Sequence, residues 1–207
     1  TTVLAEARAS YHRDRGIDIK VLHRENRDGF KAGALAQGVA CARGEYLAVF
    51  DADFLPPPEF LRRAVPHFQD GRVGMVQTRW GHINRSYSPF TGIQAVFLDS
   101  HFLIEHQARH GSRRFFNFNG TAGIWRRKCI ETAGGWQADT LTEDLDLSYR
   151  AQLSGWQFRF LPDLVAPAEL PVDIGAFKTQ QRRWAKGSIQ TAIKMLPAVW
   201  KSRQPLK

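Results

Sequence analysis

An α/β fold with a mostly parallel sheet and helices on both faces is what this sequence predicts, on three observations. Short apolar or β-branched runs alternate with helix-forming stretches from about Ile17 to Trp80, the pattern of strand-helix-strand units. One run, residues 46–50, is followed at once by the acids Asp51 and Asp53, and in open α/β sheets ligands lie beyond the carboxyl ends of the strands. The chain has 207 residues, 43% of them hydrophobic, which suffices for one core. Residues 1–207 read as a single domain.

The elements follow in order. The chain opens in a charged helix carrying Glu6, Arg8 and Arg13. Residues 17–22 alternate β-branched and polar side chains as a strand does, and Ala-rich residues 31–42 favour helix. Residues 46–50 form a short apolar strand, and Pro56, Pro57 and Pro58 open a helix over 59–69. A strand over 73–80 comes next, then a long helix over 89–109 and an aromatic, Gly-containing strand or loop over 115–125. Thr140 with Glu143 three residues later fits a capping box for a helix over 143–153. This places Glu143, Asp144 and Asp146 in its first turn. A strand over 158–161 and a helix over 174–196, kinked near Pro197, complete the reading.

Composition excludes several classes. No stretch approaches the ~20 apolar residues of a membrane span, since the apolar window at 86–98 stops at Asp99. Cys41 and Cys129 have no paired metal spacing, and two cysteines suit a reducing compartment. The formal charge is +9, and its position narrows the choice of partner. Lys178, Arg182, Arg183, Lys186, Lys194, Lys201, Arg203 and Lys207 occur with no acid among them, while the rest of the chain is nearly neutral. A nucleic-acid domain more often spreads its charge along a face, and no zinc-finger, bZIP or RNP pattern is present. Ile189, Ile193, Leu196 and Trp200 recur at helical spacing in this basic end. Residues 178–207 thus form a basic amphipathic helix, packed on the core or lying at a membrane interface.

Three constellations can carry chemistry. Asp51 and Asp53 are either two exposed acids at a strand end or a seat for a hard divalent cation that bridges the phosphates of a nucleotide. Thr142-Glu143-Asp144 is either a helix start or the place of a general base, Asp144 or Glu143, that takes a proton from an acceptor hydroxyl. In Gln180-Gln181-Arg182-Arg183-Trp184 the guanidinium forks suit diphosphate oxygens and the indole suits the apolar side of a sugar ring. The same pentapeptide would equally make a basic interface helix. His101, His106 and His110 lack an HExxH pattern and read as surface or packing residues.

The pieces also occur in a telling order: a run from His23 through Lys31-Ala32-Gly33, then Asp51-Ala52-Asp53, Phe118-Asn119-Gly120-Thr121, Thr142-Glu143-Asp144, and Gln180 to Trp184. Together they resemble the catalytic domain of family 2 glycosyltransferases of the cellulose synthase type. The run from Phe118 to Arg126 is most similar to the β-mannan and glucomannan synthase branch; at Asn119 cellulose synthases usually carry cysteine. The resemblance implies a GT-A fold, a nucleotide-diphospho-sugar donor such as UDP-glucose or GDP-mannose, and inverting transfer to a growing β-linked polysaccharide. It implies Asp144 as base, Asp51, Lys31, Gln180 and Arg183 at the donor, and Asp53 on Mg²⁺ or Mn²⁺. Trp184, Asn119, Gly120 and Glu143 fall at the acceptor.

The family's first strand, which ends in a nucleotide-binding aspartate, would precede Thr1. The nucleotide site is therefore expected to be incomplete and the chain inactive in isolation. Flanking membrane segments outside the chain would hold it at the cytoplasmic face of a membrane. Two other readings remain at this stage. One is a non-processive transferase acting on a lipid or small acceptor; the other is a non-enzymatic basic domain that binds membrane or nucleic acid.

Overall fold

The computed structural model describes residues 1–202. Helix α1 (Thr2–Arg13) and α2 (Phe30–Cys41) precede strand β1 (Tyr46–Val49). Helix α3 (Phe60–Ala64) runs into a 3₁₀ turn (Val65–Gln69), and β2 (Val73–His82) follows. A long helical rod comes next, made of α4 (Pro89–Ser100), a π-helical segment (His101–His106) and α5 (Gln107–Gly111). Then come β3 (Gly123–Arg126), α6 (Arg127–Thr132), α7 (Glu143–Leu153), β4 (Gln157–Ala168) and α8 (Ile174–Lys201).

The four strands form one sheet in the order β1-β3-β2-β4. Residues Val73–Thr78 of the central strand are buried throughout, as a strand covered on both faces must be. On one face Met75, Trp125, Phe158 and Phe160 pack with Phe102, Cys129, Ile130, Leu147 and Ala151. On the other, Val73, Val76, Ile124, Leu164 and Ala166 pack with Phe60, Ala64 and Phe68. Helices therefore cover both faces, as the sequence predicts.

Strand direction follows the expected mostly parallel sheet with one reversal: β1, β2 and β4 run the same way and β3 runs against them. Only β2 and β4 pair in parallel, whereas β3 runs antiparallel to both β1 and β2. The rod formed by α4 and α5 makes one crossover and residues 112–122 a second, so the chain re-enters the sheet from the carboxyl end of β2. Gly123 consequently lies opposite both Val49 and Gln77. The residues just before it, Asn119 to Thr121, land beside the acids that follow β1. A parallel β3 would carry them to the far edge of the sheet.

Other expectations also change. Residues 17–22 have no regular structure and join no ladder, because a strand needs a partner and the sheet gives this segment none among the described residues. The capping box at Thr140 does not form. Thr142 is the N-cap of α7, and its hydroxyl meets the Thr191 hydroxyl of α8 at 3.1 Å instead of its own helix. A capping box forms where none was expected, between Ser88 and Thr91 at the start of α4. Helix α6 was not legible in the sequence. The last helix continues through Pro197 to Lys201; the rest of the predicted 178–207 segment, residues 203–207, lies outside the described residues.

Helix α8 turns Gly187, Thr191 and Met195 inward. The apolar series read from the sequence faces outward, with Ile193 73% and Trp200 92% exposed. Helix α4 likewise exposes Ile93, Val96 and Phe97.

Candidate active site

Lys31, Asp51, Asp53, Asn119, Gly120, Glu143, Asp144, Gln180, Arg183 and Trp184 all line one cavity of about 620 Å³. Five elements place them: the start of α2, the end of β1, the turn before β3, the start of α7, and α8. On α8, Gln180, Arg183 and Trp184 stand three and four residues apart and so share one face.

The cradle beneath Asn119 and Gly120 is held by buried polar groups. Gln77, fully buried, donates through Nε2 to the carbonyls of Thr78, Thr121 and Ala122. Its Oε1 accepts from the Asn119 amide at 2.9 Å. The Asp51 amide donates to Thr121 Oγ1 at 2.8 Å, which ties the acidic turn after β1 to the same cradle. The Phe118 amide donates to Ser148 Oγ, and that hydroxyl donates to the Asp144 carbonyl at 2.6 Å. Four elements of the cavity wall are thus fixed by one hydrogen-bonded network. Gly120 needs its left-handed φ of 84°, and a side chain there would come within 3.0 Å of Asp144 Oδ2.

Within the cavity, Lys31 Nζ donates to Asp51 Oδ1 at 2.5 Å. Asp53 and Arg183 make no ion pair among the described residues and are free to meet a ligand of either charge. Asp144 stands half-buried in the wall, where burial and then the charge of Glu143 push its carboxyl up to about 7, against the Leu145 amide and Lys31. The Leu145 amide donates to its Oδ1 at 2.8 Å. Burial here outweighs the favourable position of an acid at a helix N-terminus.

The donor set suits a divalent ion. Asp51 and Asp53 offer hard oxygen ligands, and one or two carboxylates with phosphate oxygens are how Mg²⁺ is commonly held. Lys31 takes one oxygen of Asp51, and Asp53 has no cation partner among the described residues, so Asp53 could hold a metal.

A second cavity of about 470 Å³ meets the first along Trp80, Leu98, Asn119, Thr142, Asp144, Gln180 and Trp184. Its other walls include Phe97, Phe177 and His101, with Gln94, Asn117 and Gln181 beside them. The two spaces differ in chemistry: the first holds the lysine, the arginine and the acids, and the second is mainly apolar, with the rings of Trp80, Phe97, Phe177 and Trp184. Asp144 belongs to both.

Sequence reasoning missed Trp80 and Gln77, and read His101 as a surface or packing residue. Trp80 and Gln77 lie in an apolar strand run and carried no local signal. His106 is indeed packed, at full burial, but His101 lines the second cavity.

Helices α7 and α8 touch at Gly187, where a Cβ would fall 2.5 Å from Thr142 Cγ2 and 2.9 Å from its amide nitrogen. Gly187→Ala should therefore separate the Gln180–Trp184 face from Asp144. The expected cost is about 1–3 kcal/mol of stability, read by thermal denaturation. An unchanged melting temperature would show that the contact can relax freely.

Known proteins resemble this chain in sequence and in fold. A family model described as glycosyl transferase family group 2 matches residues 46–205. A protein of Oryza sativa subsp. japonica named probable glucomannan 4-beta-mannosyltransferase 7 is 45% identical over 188 residues, 89% of this chain and 32% of that protein. Glucomannan 4-beta-mannosyltransferase 2 of Arabidopsis thaliana is 42% identical over 194 residues, 92% of this chain and 36% of that protein. The chain thus spans about a third of these relatives' length. Among solved structures, the mannosyltransferase PcManGT from Pyrobaculum calidifontis, in complex with GDP-Man and Mn²⁺, superposes with a TM-score of 0.62 at 21% identity. That alignment covers 86% of this chain and 46% of that one, and at such identity it speaks for the fold, which is GT-A. By its match over residues 46–205, the chain belongs to glycosyl transferase family group 2.

Proposed function

We propose that this chain is the catalytic part of an inverting hexosyltransferase, which moves a sugar from a nucleotide-diphospho-sugar to a hydroxyl of a growing β-linked polysaccharide. The observation that carries this reading is the place of Asp144, a carboxylate of raised proton affinity in the wall between a charged cavity and an aromatic one. A single-displacement transfer needs a base between donor and acceptor, and a carboxylate near 7 accepts a proton well at neutral pH.

The donor diphosphate would lie in the charged cavity, where Arg183 offers a guanidinium fork and Lys31, braced on Asp51, a second cation. Asp53 would hold Mg²⁺ or Mn²⁺, which supplies charge neutralisation at the diphosphate. Gln180 reaches the boundary and orients the donor. The acceptor sugar would enter the aromatic cavity, stack on Trp184 and place its hydroxyl against Asp144, flanked by Asn119, Gly120 and Glu143. Asp144 takes the hydroxyl proton as that oxygen attacks the anomeric carbon, and Arg183 stabilises the departing diphosphate. The mannan synthase relatives favour GDP-mannose as donor and a polymer over a lipid or small acceptor.

The outward apolar faces of α4 and α8 flank the aromatic cavity, and α8 adds Lys178, Lys186 and Lys201. This supports a place at the cytoplasmic face of a membrane. The test uses the full-length protein, with washed membranes and the soluble fraction assayed separately. Nucleoside diphosphate release is followed from a panel of UDP- and GDP-sugars, with Mg²⁺, Mn²⁺ or a chelator. We expect metal-dependent release from one donor, in the membranes only. Release insensitive to chelation would refute the role of Asp53, activity confined to the soluble fraction would refute the membrane placement, and no release from any donor would refute the transferase.

A further inference from the structure

The π segment His101–His106 interrupts the rod between α4 and α5 beside the aromatic cavity. Such segments cost helix stability and are found mostly where a site needs them. Glu105 Oε2 lies 2.9 Å from His101 Nδ1, and Glu105 Oε1 lies 2.5 Å from Arg109 Nη2. Against the opposing effect of partial burial, the His101 hydrogen bond and the charge of Arg109 hold Glu105 below its ordinary range, so it is an anion at neutral pH.

An ionised carboxylate can only accept hydrogen bonds. His101 Nδ1 must then carry the hydrogen, and in the neutral ring Nε2 is left as an acceptor. His101 Nε2 lies 3.1 Å from Asn119 Nδ2, so the amide nitrogen has to face the ring. Asn119 Oδ1 accordingly accepts from Asn117 Nδ2 at 2.5 Å. The other end of the π segment supports the same turn: His106 Nε2 meets the Asn117 carbonyl at 3.0 Å. The His106 ring lies tilted against His101 with centroids 4.3 Å apart, and burial above all brings its imidazole down to about 3, so it stays neutral. One amide hydrogen and one carbonyl lone pair of Asn119 remain, at a residue shared by both cavities with Asp144.

We infer that Glu105, by fixing the tautomer of His101, sets which way Asn119 presents its carboxamide to the acceptor sugar, which makes His101 and Glu105 positioning residues for the attacking hydroxyl. The inference rests on the transferase reading above. A carboxamide turned the other way would exchange donor for acceptor at the point where the hydroxyl docks. A hydrogen bond lost or reversed there weakens acceptor binding and leaves the donor side intact, because neither Glu105 nor His101 lines the charged cavity.

The experiment uses the full-length protein in membranes, with the donor identified by the panel and a short β-linked oligosaccharide of the same sugar as acceptor. Three quantities are read: KM for the acceptor, KM for the donor, and nucleoside diphosphate release without acceptor. Glu105 is exposed, so Glu105→Gln keeps the fold; its amide can donate or accept, and the tautomer is no longer imposed. We expect Glu105→Gln and His101→Phe to raise acceptor KM roughly 3- to 10-fold, the worth of one hydrogen bond. Donor KM and acceptor-free release should not move in Glu105→Gln. His101→Gln, whose carbonyl oxygen can accept from Asn119, should recover most of the loss. An acceptor KM unchanged in both Glu105→Gln and His101→Phe overturns the inference, as does a rise of donor KM in Glu105→Gln as large as that of acceptor KM. A wild-type protein that transfers from no donor overturns the transferase reading itself, which separates the two failures.

Discussion

Asp144→Asn is expected to lower transfer by ~10²- to 10⁴-fold, the usual worth of a general base, with donor binding retained. Asparagine preserves the shape and the hydrogen bond from the Leu145 amide but cannot take a proton. The same group sets the pH profile. Its carboxyl is pushed up to about 7 and only the deprotonated form is a base, so kcat/KM should rise with pH and level off above that value. The linkage has the opposite sign for stability. Between the ordinary aspartate range and about 7 the folded state binds more protons than the unfolded one, so Asp144 costs stability progressively as pH rises through that window. Asp144→Asn should therefore melt no lower than the wild type at neutral pH. Transfer rates of the full-length protein and its variant across pH 5 to 9, beside their melting temperatures, check both statements. A variant that keeps its turnover would remove Asp144 from the mechanism.

The second large effect is expected at Asp146, one turn of logic away but chemically unlike its neighbour. Asp146 is fully buried between α7 and α8. Its Oδ2 accepts from Arg150 Nε and Nη2 at 2.9 and 2.8 Å. Lys194 Nζ of α8 lies 2.8 Å from Oδ1, at an angle too bent for a hydrogen bond. Lys194 also reaches Gln137 and Asp139, and Arg150 donates to the carbonyls of Ala133 and Gly135. One carboxylate thus joins two helices and the loop between α6 and α7. Without it two cations face each other in a dry site, so Asp146→Ala should cost about 3–5 kcal/mol, a drop in melting temperature of roughly 6–20 °C. Asp139→Ala, at an exposed position, should cost under about 1 kcal/mol. Equal effects of the two would show that the buried carboxylate has no special part in joining the helices.

The sequence was most legible where local chemistry decides structure. The helix Glu143–Leu153 was read with its true ends although the capping box used to place it does not form, because three acids suit a helix start. The shared face of Gln180, Arg183 and Trp184 followed from helical spacing alone. The direction of β3 did not, because it is decided by how the long rod of α4 and α5 returns the chain, a matter of distant packing. Residues 17–22 have the composition of a strand, yet a ladder requires a partner that the segment cannot supply itself. The capping residue of α7 was misread by two positions because the Thr142 hydroxyl is claimed by Thr191, far along the chain. His101 was undervalued because a π turn leaves no trace in apolar periodicity, and its meaning depends on Glu105, Asn117 and Asn119 together.

The glycine contact between α8 and Thr142 has a mechanical meaning. With no side chain at Gly187, helix α8 bears directly on the first turn of α7, and no layer of mobile atoms lies between them to absorb displacement. Helix α8 also carries Trp184 on its inner side and Trp200 near its far end, so it acts as a stiff lever whose fulcrum is the residue two before Asp144. A tilt imposed on its outer side would reach Asp144 and Trp184 together, and the two would keep their register.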